Sequence, residues 1–122
     1  MLARFSVRLV LVLAVLASSA SGFALDRNAF TFTRYDLHVR VEPAQQALSA
    51  TGRITLRNDS PAPQKAVALQ ISSTLAWQSI RLAGQPVMFV TQPYESDIDH
   101  TGELSEAIVT LPRDVPPQGT LD

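Results

Sequence analysis

Residues 35–58 constrain this chain more than any other stretch, because they alternate apolar and polar side chains through two arms joined by a short turn. In the first arm Tyr35, Leu37, Val39 and Val41 share one face, with Asp36, His38 and Arg40 on the other. In the second arm Leu48, Ala50, Gly52, Ile54 and Leu56 oppose Ser49, Thr51, Arg53, Thr55 and Arg57. A period of two places successive side chains on opposite faces of a strand, whereas a helix needs a period near 3.6. The pattern predicts a half-buried antiparallel hairpin. Residues 42–46 form its turn, where the missing N–H of Pro43 costs nothing.

The rest of the chain repeats this grammar at strand-like spacing. Asn58, Asp59, Ser60, Pro61, Ala62 and Pro63 make a dense turn cluster. Residues 65–71 alternate again with Val67, Leu69 and Ile71 inward, and residues 75–82 resume the run, with Trp77 as a large core or edge residue. Ala83-Gly84-Gln85-Pro86 links residues 80–82 to 87–90 as a tight hairpin. Residues 93–105 read as a polar exposed loop. Residues 106–111 read as a strand with Ala107, Val109 and Leu111 on one side and Ile108 on the other. The predicted fold is a mostly β, antiparallel sandwich- or saddle-like domain of six or seven strands. Its predicted core is Tyr35, Leu37, Val39, Ile54, Leu56, Leu69, Ile71, Ile80, Leu82, Phe89, Val109 and Leu111.

The first 24 residues stand apart from this pattern. Arg4 and Arg8 precede the apolar run of residues 9–17, and small residues follow at 18–22, then Phe23 and Ala24. Positive, apolar and small-residue regions in that order describe a secretory signal peptide. The run of nine is far short of the about 20 residues a membrane span needs. Cleavage after Ala24 fits the small-residue rule, as does cleavage after Ala20. Residues 25–33 then form a lead-in whose Phe30 and Phe32 can pack on the domain edge, and residues 34–122 form the β-domain. Without residues 1–24 the basic residues fall from 10 to 8 against 11 acidic, a net charge of −3. That balance offers nothing to nucleic acid or to an anionic membrane surface. The expected product is secreted or periplasmic, with no membrane attachment after signal cleavage.

Cysteine is absent, which excludes disulfides, a thiolate nucleophile and a cysteine metal site. His38 and His100, the two histidines, are too far apart in sequence for a helical H-E-x-x-H pair. No Gly-rich phosphate loop and no G-x-S-x-G serine is present. Asp97-Ile98-Asp99-His100-Thr101-Gly102 opens like a calcium loop, yet Ile108 stands at the twelfth position where a bidentate glutamate belongs. Glu103 and Glu106 would serve only with a different geometry, and a solvated acidic loop is the simpler reading. Asn58-Asp59-Ser60 spells a glycosylation sequon, but Pro61 follows and turn chemistry accounts for these residues. Gly52, inside a strand, suits a bulge or a close backbone approach. No catalytic, cofactor-binding or metal-binding residue is expected.

From Tyr35 onward the chain resembles the N-terminal β-domain of the M1 family of zinc aminopeptidases, the gluzincins. The residues that carry the resemblance are Tyr35-Asp36-Leu37-His38-Val39-Arg40-Val41, Glu42-Pro43, and Thr51-Gly52-Arg53-Ile54-Thr55-Leu56. Leu69-Gln70-Ile71, Leu75-Ala76-Trp77-Gln78-Ser79-Ile80, Leu111-Pro112 and Pro116-Pro117-Gln118-Gly119 follow in similar order. Gln70 departs from the family, where many members carry a histidine. The resemblance implies a non-catalytic domain of a secreted metallo-aminopeptidase, with the remaining domains of the parent enzyme as its partners. Zinc and the peptide substrate would belong to the parent's catalytic domain, and no family site residue maps onto this chain. Two further expectations go with it. The strand begun at Thr120-Leu121-Asp122 reads as cut short, against a complete domain with a frayed tail. The competing function is a free-standing secreted binding module for protein or carbohydrate, with Trp77, Tyr94 and Phe89 as its aromatic platform.

Overall fold

The computed structural model describes residues 24–95 and 102–122. Residues 1–23 of the predicted signal peptide, and the Asp97–Thr101 part of the acidic loop with His100, lie outside the described residues. The described elements are β1 (Phe30–Glu42), a 3-10 turn (Pro43–Gln45), β2 (Ala47–Asn58) and β3 (Gln64–Ser72). They continue with β4 (Arg81–Leu82), β5 (Gln85–Pro86), β6 (Phe89–Glu95), β7 (Glu103–Val115) and β8 (Thr120–Leu121). All strand pairs are antiparallel, in sheets ordered β1-β2-β8 and β3-β7-β6 with a small β4-β5 ribbon. The predicted class, mostly β and antiparallel, is the observed one.

The long hairpin forms where its alternation requires. Gln46 closes the turn in the left-handed region at φ 50°, and its N–H donates to the Pro43 carbonyl at 3.2 Å. Register then runs from Glu42 opposite Ala47 to Phe30 opposite Asn58, with one irregularity between Phe32 and Arg34. The extra residue there lets Phe32 and Tyr35 share a face. Their rings stack with centroids 5.6 Å apart and planes 7° from parallel. The second hairpin forms with a shorter turn than read, since Gln85 and Pro86 pair with Leu82 and Arg81: Ala83 and Gly84 alone make the turn, both at positive φ, 48° and 81°. Two such residues make the primed turn whose twist matches a two-residue hairpin.

The core gathers Leu56 of β2 with Val67 and Leu69 of β3 and Ala107, Val109, Leu111 and Val115 of β7. Ile54, Ile80, Leu82 and Phe89 pack half-buried around it. Each buried Val or Leu contributes about 1.5–3 kcal/mol, so these few residues carry most of the hydrophobic stabilisation. Asn58, fully buried, ties the far end together: its Nδ2 donates to the Ala62 and Val115 carbonyls, both at 2.9 Å. Its Oδ1 accepts from the Ser60 N–H at 3.0 Å, and its backbone bonds both Gln118 and Gly119.

Three expectations are corrected. Tyr35, Leu37 and Val39 are not core residues; they are exposed, because the buried core takes only Leu56 from this hairpin and packs it against β3 and β7. Residues 75–80 form no strand: Trp77 and Ile80 reach the core from an irregular segment, and pairing begins only at Arg81. Residues 93–95 and 103–105 are paired strand, Pro93 opposite Ser105, rather than loop. Pro93 is tolerated because β6 is an edge strand, where an absent N–H breaks no outer ladder. Pro112 sits past the β6 ladder and at the irregularity in the β3 pairing, so its missing donor is likewise not needed.

Candidate interaction surface

Residues directly opposite one another in an antiparallel pair project from the same face. The register therefore places Tyr35 with Ile54, Leu37 with Gly52, Val39 with Ala50 and Val41 with Leu48 on one side. Asp36 with Arg53, His38 with Thr51 and Arg40 with Ser49 fall on the other. Every residue of β1 from Thr31 to Val41 is exposed. On the apolar side Tyr35 is 60% exposed, Leu37 53%, Val39 57%, Val41 62% and Leu48 47%. Apolar side chains left contiguous in water mark an interaction site on a folded protein. Gly52 serves a close approach rather than a bulge, since a Cβ there would lie 2.9 Å from the Leu37 Cα and closer still to the Asp36 carbonyl.

Below this face a cleft of about 530 Å³ runs between the hairpin and the β3–β4 segment, lined by Gly52, Ile54, Leu69, Trp77, Ile80 and Asp122. Arg53 and Arg81 also line it, with Asp122 as its one acid. Among the described residues no group of three His, Cys, Asp or Glu side chains converges. His38 stands on the exposed polar face, opposite Thr51 and between Asp36 and Arg40.

Glu106 takes a place that sequence reasoning missed. It lies in the middle of β7, its side chain fully buried, between Gln70 of β3 and Gln92 of β6. Arg27 reaches it from outside the sheet, donating from Nε to Oε1 at 2.7 Å and from Nη2 to Oε2 at 2.9 Å. Gln70 and Gln92 donate to the two oxygens at 3.1 and 2.8 Å. The Arg27 hydrogen bond, opposed by burial and aided by both glutamines, holds the carboxyl down at a pKa of about 2. Arg27 also lies 5.0 Å above the Tyr94 ring. Every oxygen of Glu106 is thus engaged, and it is not a free ligand for a cation. The signal in the sequence was one acid and two glutamines spaced across three strands, readable only once the register is known.

The proposed aromatic platform is not assembled. Trp77 donates its indole N–H to the Ser105 carbonyl at 3.2 Å, Phe89 packs on the core, and Tyr94 faces Arg27. Asn58, the sequon residue, is buried with its amide nitrogen committed to two carbonyls. Comparison with protein-family models, with curated proteins and with solved structures found no match.

Proposed function

We propose that this chain serves as the non-catalytic N-terminal β-domain of a secreted M1-type metallo-aminopeptidase, supporting the catalytic domain of the full-length enzyme. The observation that carries the reading is the uncovered apolar face of the β1–β2 hairpin. A face that buries its near half in the domain's own core and leaves its far half bare has the form of a docking element. The order of the strand motifs from Tyr35 to Gly119 supports the choice of parent. In that enzyme zinc and the peptide would be held by the catalytic domain, and this chain would supply shape and support, with no residue in the reaction. The binding-module reading has less behind it, because Trp77, Tyr94 and Phe89 are spent on internal contacts.

The decisive measurement is the coding sequence downstream of codon 122. An in-frame continuation containing H-E-x-x-H establishes the reading, and a stop codon there refutes it. The expected companion result is that residues 25–122, purified and metal-loaded, release no chromophore from an aminoacyl substrate, since the water activation that zinc supplies needs ligands from elsewhere.

A further inference from the structure

The geometry points to a second copy of this chain as the partner of the free β1 edge, paired antiparallel about a two-fold axis through His38. Strand β1 is the outer strand of its sheet, 13 residues long, and among the described residues one side of its backbone has no strand neighbour. An exposed edge of that length is a template for another strand.

What selects the partner is the order of charges. An axis through His38 sets Asp36 against Arg40 of the second copy and Arg34 against Glu42, each twice by symmetry. On the apolar side it sets Leu37 against Val39 and Tyr35 against Val41. Moving the axis to Leu37 puts Arg34 opposite Arg40, and moving it to Val39 puts Asp36 opposite Glu42. Half-step registers set apolar against polar residues and lose the common face. One register alone therefore satisfies every charge and keeps one apolar face, and it is the self-complementary one. Opposed pairs of these kinds stabilise a sheet and like charges directly opposite destabilise it.

The resulting sheet runs β2-β1-β1-β2 across the pair, with Leu37, Val39, Val41 and Leu48 of both copies on one continuous face. Within each copy Asp36 also faces Arg53 on β2, and Arg40 bonds Glu42 from Nε at 2.6 Å. These contacts hold the charged side chains on the face where the partner's opposite charges would meet them. The pairing uses the strand edge and does not depend on the aminopeptidase reading.

Sedimentation velocity across a concentration series tests it on the purified protein. Wild type should show a reversible monomer–dimer equilibrium. Asp36→Arg and Arg40→Asp should each raise the dimer dissociation constant about 10- to 100-fold by facing like charges. An equimolar mixture of the two variants, and the double variant Asp36→Arg/Arg40→Asp, should both restore dimers. The chain has no cysteine, so His38→Cys offers a second reading: it should cross-link to itself on oxidation, with paired Cα atoms about 4.5–5.5 Å apart. A wild type monomeric throughout, a double variant that stays monomeric with wild-type circular dichroism, or no cross-link at position 38 would each overturn the proposal.

Discussion

Replacing Glu106 by alanine removes the acceptor for four hydrogen bonds, two from Arg27 and one each from Gln70 and Gln92. Breaking a buried charged pair from one side costs about 3–5 kcal/mol when the other charge stays buried. Arg27 is a third exposed and can turn to water, so the low end applies, about 3 kcal/mol. For a domain of this size that lowers the melting temperature by roughly 15 °C. Thermal denaturation at neutral pH, followed by far-ultraviolet circular dichroism, reads it directly. The pH dependence supplies an independent check. The folded-state pKa of Glu106, about 2, lies below its ordinary 4.5. Its contribution is therefore complete above the unfolded value and is lost as the pH falls from about 4.5 towards 2. The shift corresponds to about 3 kcal/mol, and screening of the part-exposed Arg27 leaves about 2 kcal/mol. Asp59, held down at about 2 by its Arg57 hydrogen bond, titrates in the same window. Comparing wild type with Glu106→Gln cancels that background. If Glu106→Ala costs less than about 1 kcal/mol, outside the range expected for a buried pair, the network does not hold the sheet as described. A wild-type-minus-Glu106→Gln difference that stays constant with pH would refute the linkage reasoning.

Asn58→Ala should destabilise by about 1–3 kcal/mol in urea denaturation, because the buried Val115 carbonyl loses its donor and the turn at residues 59–63 loses its side-chain tie. Leu37→Thr and Val39→Thr should each leave the melting temperature within about 3 °C, as surface substitutions do, while lowering binding of a hydrophobic dye; a loss typical of core truncation would show that the face is covered. Gly52→Ala should lower stability by about 1–3 kcal/mol, since the new Cβ meets β1 backbone rather than a flexible side chain; an unchanged melt would show that the strands can separate at no cost.

Much of this fold follows from local pattern. Alternation in residues 35–41 and 47–58 specifies two strands and their faces because the pleat allows no other arrangement of those side chains. Pro43 and Gly84 mark turns because their backbone properties suit those positions. Val67, Leu69, Val109 and Leu111 were recognisable as core from the same alternation. Alternation, however, says which residues share a face and not what lies across from it. Tyr35, Leu37 and Val39 satisfy the core pattern and still face water, because the packed core takes only Leu56 from their hairpin. Strand ends were equally illegible, since Pro93 and Pro112 look like breaks until an edge position or an irregular pairing makes their missing donors harmless. The Arg27–Glu106 network lay beyond the sequence for the same reason: Gln70, Gln92 and Glu106 become neighbours only through strand register, and Arg27 joins them across 79 residues of chain. Local stereochemistry sets each residue's face, but opposition across sheets is a long-range property that only the assembled structure decides.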